Sequence, residues 1–181
     1  MPDAMTTWSD MKRRHATCLA DRHVGVAPEP RRPAAAVLAC SDARVPPSVL
    51  FDRPGELFVV RIAGNSATPA AVASLTYAVE QLGTDLLIVL GHTGCGAVTA
   101  ALGGGEPGPL APIVEPIDEM LSGCTNCTDV DAAVFAHVRH TVGLLRGDPG
   151  PLGGALRSGR VAVRGAVHDL GTGHLTEIDD G

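Results

Sequence analysis

The sequence predicts an α/β fold: a largely parallel central sheet flanked by helices, with an N-terminal helix and a C-terminal antiparallel strand pair. Three observations carry this. Short apolar runs at residues 34–39, 57–62 and 86–90 alternate with longer stretches of helical periodicity, the pattern of strands joined by crossover helices. Aromatic residues make up only 3 % of the 181, so Ala, Val, Leu and Ile must fill the core, which suits small-residue helices packed tightly on a sheet. Residues 160–170 and 174–178 read as two strands joined by the turn Gly171-Thr172-Gly173.

Taken in order, residues 6–21 form a helix with Trp8, Met11, His15, Cys18 and Leu19 near one face at spacings of three and four. Residues 24–33, with Pro28, Pro30 and Pro33, are an extended linker. Residues 1–33 are thus an N-terminal helical arm and linker, and 34–181 a single domain. The first strand ends at Cys40, Pro46-Pro47 starts a short helix, and Asp52-Arg53-Pro54-Gly55 is a turn. The second strand runs into Ala63-Gly64-Asn65. Thr68-Pro69 is a helix start, a capping hydroxyl before proline, and Gly83 is the stop after Leu82. The third strand delivers His92. A glycine-rich loop at 103–108 precedes helices at 112–121 and 129–146, and no internal repeat is present.

Composition narrows the function. A net charge of −6 offers no basic surface for nucleic acid. No apolar run approaches the roughly 20 residues of a membrane-spanning helix. Residues 1–20 carry Asp3, Asp10, Lys12, Arg13 and Arg14 and lack the apolar stretch of a signal peptide. The five cysteines, an odd number, suit metal ligands or free thiols better than a disulfide framework, and the expected compartment is the cytoplasm.

Two short runs carry the chemistry: Cys40-Ser41-Asp42-Ala43-Arg44 and His92-Thr93-Gly94-Cys95-Gly96. Each follows a buried-strand pattern, and in α/β folds ligands gather at the carboxyl ends of strands. Alternate residues at a strand end point to one side, so Cys40 and Asp42 can face one metal. His92 and Cys95 form a compact chelate. Sulfur and imidazole donors suit zinc, so the expected ligands are Cys40, His92 and Cys95, with Asp42 as a possible fourth. Arg44 offers another role for Asp42: a bidentate pair would draw the carboxylate off the metal, leaving it to accept a proton from the nucleophile.

These runs, together with Arg61-Ile62-Ala63-Gly64-Asn65, Gly91 through Ala97 and the closing 165–173, resemble the β-class carbonic anhydrases over residues 30–178. The resemblance implies reversible hydration of CO2 to bicarbonate and a proton by a zinc-bound hydroxide, with one Zn2+ per subunit. It carries the zinc ligands onto Cys40, His92 and Cys95, the catalytic dyad onto Asp42 and Arg44, and a bicarbonate contact onto the Gly96 amide. Asn65 is read either as a turn residue or as a second substrate contact. A homodimer or homotetramer follows, with active-site clefts at subunit interfaces and the N-terminal helix on the partner.

The chain also departs from the family pattern. Arg31 stands where a glutamine commonly donates to bicarbonate, and Val37 and Ala39 replace the Trp-x-Gly of an inhibitory bicarbonate site, which is expected to be absent. Alternatives are a relative acting on CS2 or COS, and a catalytically silent zinc-stabilised protein. Cys124-Thr125-Asn126-Cys127 is read as two free thiols or an incidental disulfide. His137 and His140 are read as a solvated or interface face.

Overall fold

The structure, a computed structural model, describes residues 4–22, 32–52 and 55–178. The chain divides into two units, Met1–Pro30 and Arg31–Gly181. The first holds α1 (Ala4–Arg22). Pairs three and four residues apart support that helix: Arg13 and Arg14 both donate to the Asp10 carboxylate, and the Lys12 ammonium lies over the Trp8 ring. Trp8 and Met11 are exposed.

The second unit is built on β1 (Ala35–Ala39), β2 (Leu57–Arg61), β3 (Leu86–His92), β4 (Ala162–His168) and β5 (Leu175–Ile178). They form one sheet in the order β2-β1-β3-β4-β5, parallel except for the antiparallel β4–β5 pair. All five residues of β1 are buried, because both faces of this interior strand are covered. Ala36 and Leu38 point into the large core, Val37 and Ala39 into a smaller one on the opposite face.

The large core is roofed by α3 (Pro69–Glu80), α4 (Gly96–Leu102), α5 (Ala111–Ser122), α6 (Val130–Gly147) and α7 (Pro151–Arg157). The smaller one takes Leu50 and Phe51, at the end of α2 (Pro47–Leu50). Thr68 caps α3 by accepting from the Ala71 N–H at 3.3 Å. That helix stops at Glu80, slightly before the expected Leu82, and Gly83 takes φ +72° in the turn beyond.

Helix α7 was not foreseen, because Gly153 and Gly154 obscure its periodicity. Side-chain contacts to nearby backbone support it: the Asp148 carboxylate accepts from the Gly150 and Gly153 N–H groups, and Arg157 donates to the carbonyls of Arg146 and Asp148. A Cβ at Gly153 would fall 2.0 Å from the Asp148 carbonyl oxygen, so only glycine lets the chain double back this tightly.

Register positions the site. Ala39 pairs with Arg61 on one side and with Leu90 on the other. The chain leaving β1 at Cys40 therefore emerges between the ends of β2 and β3.

Candidate metal centre

Cys40 is the first residue beyond β1, His92 the last of β3, and Cys95 the N-cap of α4. All three are buried, and one ligand atom from each lies within 4.8 Å of the others. The two Sγ atoms are 4.0 Å apart; thiolates about 2.3 Å from a tetrahedral zinc would be roughly 3.8 Å apart. His92 Nδ1 lies 3.0 Å from the Thr93 carbonyl oxygen and donates to it, which leaves Nε2 with the lone pair. That Nε2 is buried and has no hydrogen-bond partner among the described residues. An orphaned imidazole nitrogen beside two sulfurs is costly alone and is satisfied by a metal ion. The donor set and its spacing fit zinc.

The hydrogen bond between the two sulfurs shifts their thiols in opposite directions. Cys40 is pulled down to about 4 by the Cys95 hydrogen bond, helped by His92 and by the Gly64 N–H, which donates to Cys40 Sγ at 3.4 Å. Cys95, which keeps the proton, is pushed up by the same bond and by burial. Burial opposes charge on His92, but the adjacent Cys40 thiolate outweighs it and raises the imidazole above its ordinary value.

Asp42 stands beside this cluster, its Oδ2 3.9 Å from His92 Nε2. Arg44 takes both carboxylate oxygens: the backbone N–H and Nε donate to Oδ1 at 2.9 Å, and Nη2 donates to Oδ2 at 2.6 Å. These hydrogen bonds hold the carboxyl well below the usual range. The bidentate geometry expected from the sequence is present.

Two further residues fix the turn. Arg61 Nε donates to the Cys40 carbonyl at 2.9 Å, and its Nη2 donates to that of Asp42. Gly64 takes φ +75°, and a Cβ there would lie 2.9 Å from Ile117 Cδ1 and 3.1 Å from Ala97 Cβ. The sequence holds both residues in one motif, but only strand register reveals what Arg61 grips.

Asn65 is buried at φ +47°, and its Nδ2 has no hydrogen-bond partner among the described residues. Gly96, next to Cys95, is exposed. Arg31 lies outside the described residues. His137 corrects the expectation of a solvated face: it is buried, with Nε2 donating to the Gly64 carbonyl at 2.8 Å. Its place in line with buried Ala133, Val134, Val138, Thr141 and Val142 was the available signal. Of the two readings of Cys124 and Cys127, the structure has the disulfide.

A fold of this topology with this ligand cluster defines a class, and the comparison bears it out: the carbonic anhydrase family model matches residues 35–175, and the chain belongs to that family, in its β class. It is 32% identical over 174 residues to carbonic anhydrase 2 of Mycobacterium tuberculosis, covering 92% of this chain and 84% of that protein. With the carbonic anhydrase of Mycolicibacterium smegmatis it shares 35% over 153 residues, 80% of this chain and 74% of the relative. Among solved structures, the Coccomyxa β-carbonic anhydrase in complex with acetazolamide superposes with a TM-score of 0.73 at 26% identity, covering 98% of this chain and 87% of the other.

Proposed function

We propose that the protein catalyses the reversible hydration of CO2 to bicarbonate and a proton, with one Zn2+ per subunit held by Cys40, His92 and Cys95. The observation that carries this reading is the buried S, S, N cluster with its unpaired Nε2, next to a carboxylate held by arginine. When bound, zinc supplies a Lewis acid that lowers the pKa of a coordinated water from about 15.7 toward 7.

The protein's own groups do the rest. Asp42 Oδ2 accepts a hydrogen bond from the nucleophile and so orients it. Held well below the usual carboxylate range by Arg44, Asp42 stays ionised and so remains an acceptor for that hydrogen bond. For Asp42 to close the site as a fourth ligand it would have to give up Arg44, so the pair favours an open position. Arg61 keeps the turn that carries Asp42 in register with the sheet. Gly96 and Asn65 are our candidate bicarbonate contacts, supported by the exposure of Gly96 beside Cys95 and by the unpaired Asn65 amide. Arg44's grip on Asp42 also weighs against a catalytically silent zinc protein.

No described helix is long and apolar enough to cross a membrane. We place the protein in the cytoplasm, as a homodimer or homotetramer. Exposed Trp8 and Met11 on α1 supply apolar surface for a partner copy.

The test is stopped-flow CO2 hydration by zinc-loaded protein at pH 7 and pH 9. Two thiolates donate more charge to the metal than three imidazoles would, so turnover is expected to be greater at pH 9. No turnover at either pH with zinc bound would overturn the reading.

A further inference from the structure

His137 belongs to no motif, yet it is 2% exposed in the core and sits behind the metal cluster. Its Nε2 is 2.8 Å from the Gly64 carbonyl oxygen and 3.3 Å from Ser66 Oγ. Burial keeps the ring neutral, so Nε2–H is a fixed donor whose main acceptor is that carbonyl. The N–H of the same residue donates to Cys40 Sγ. Gly64 is therefore held at both ends, by His137 at its carbonyl and by the Cys40 sulfur at its amide. Ile117 and Ala97 close the space where a side chain would stand. Ala97 is two residues beyond Cys95.

We infer that His137 is a positioning residue for the metal site: by hydrogen bonding the Gly64 carbonyl, it aims the Gly64 amide at Cys40 and so sets how much charge that sulfur gives the metal. An amide donor at a thiolate lowers its electron donation, and partners behind metal ligands typically alter metal affinity by about 10–100-fold. The other polar atom near His137 Nε2, Ser66 Oγ at 3.3 Å, lies farther away and on the same loop as Gly64. The inference rests on the proposal that the cluster binds zinc.

The experiment compares the full-length protein with His137→Met and His137→Gln, reading zinc affinity by competition with a chromophoric chelator and the sulfur-to-metal charge-transfer bands of the Co(II) forms. Glutamine places an amide N–H near the position of Nε2, whereas methionine fills similar volume without a donor. His137→Met is expected to bind zinc roughly 10–100-fold more weakly and to move the Co(II) bands to lower energy. His137→Gln is expected to restore most of both. Should the methionine variant fail to fold, His137→Asn serves in its place, being equally polar and too short to reach Gly64. Unmoved bands with unchanged affinity would overturn the inference. So would a loss of affinity with unmoved bands that glutamine does not rescue, since that is a packing effect only. Failure of the wild-type protein to bind zinc or Co(II) would instead overturn the metal-site reading itself.

Discussion

Replacing Gly64 with alanine tests the packing behind the metal cluster. Gly64 sits at φ +75°, where an L-residue costs about 1–2 kcal/mol. The new methyl would also meet Ile117 Cδ1 at 2.9 Å and Ala97 Cβ at 3.1 Å. Ile117 is fully buried in the core and Ala97 is fixed on α4, so neither retreats freely. Overpacking of this kind costs about 1–3 kcal/mol. Together these give a destabilisation of roughly 2–5 kcal/mol, or about 4–20 °C in Tm for a chain of this size. Urea unfolding followed by circular dichroism measures it. The two costs separate in an Ile117→Val background, which removes Cδ1. That change alone costs about 0.5–1.5 kcal/mol, and combined with Gly64→Ala the pair should cost about 1 kcal/mol less than the sum of the single changes. A Gly64→Ala cost below about 1 kcal/mol, or strict additivity with Ile117→Val, would refute the reasoning.

Burial holds His137 at about 4 in the folded protein, below its ordinary value, so the unfolded chain takes up its proton first as pH falls. Stability from this group is complete above the unfolded value of about 6.5 and is lost on acidification, by about 2 kcal/mol between pH 7 and pH 5; His137→Gln should flatten that part of the urea-midpoint profile. Opening the Cys124–Cys127 disulfide, whose loop spans a sequence separation of only 3, should cost about 2 kcal/mol, read as a lower urea midpoint for the double serine variant. Arg44→Ala should keep zinc, by metal analysis, and lose turnover at pH 7 as Asp42 becomes free to reach the metal. Arg61→Met should instead weaken zinc binding, roughly tenfold, because it releases the turn that carries Cys40.

The cluster of Cys40, His92 and Cys95 was legible in the sequence because it lies at the ends of apolar runs that mark buried strands, and a short spacing such as His92-x-x-Cys95 needs no tertiary knowledge. The largely parallel sheet with its C-terminal antiparallel pair followed for the same reason. What stayed hidden depends on contacts that periodicity does not show. Arg61 is an ordinary strand-end arginine until β2 is paired in register with β1. Helix α7 exists because Asp148 and Arg157 satisfy backbone groups around a close approach at Gly153, while its local sequence argues for a loop. His137 could have been placed inside by its position on the apolar stripe of α6. Its partner at Gly64, 73 residues away in sequence, could not.

The two arginines divide one task in a way that the chain's connectivity requires. Arg44 lies two residues from Asp42 on the same turn, so it can set the carboxylate's direction only relative to that turn. If the turn moved, carboxylate and guanidinium would move together and the distance to the metal would drift. A group on another strand has to tie the turn to the sheet, and Arg61 does so because parallel register places it opposite Ala39, the residue before Cys40. Its guanidinium holds the two carbonyls that bracket Ser41. On the other side of β1, β3 pairs Leu90 with the same Ala39 and carries His92 two residues farther on. Cys40, Asp42 and His92 are thus all measured from one position in one strand. The 3.9 Å between Asp42 Oδ2 and His92 Nε2 is consequently a property of the sheet and not of a flexible loop, which lets a single carboxylate stand beside the Cys40, His92 and Cys95 cluster while Arg44 holds both its oxygens.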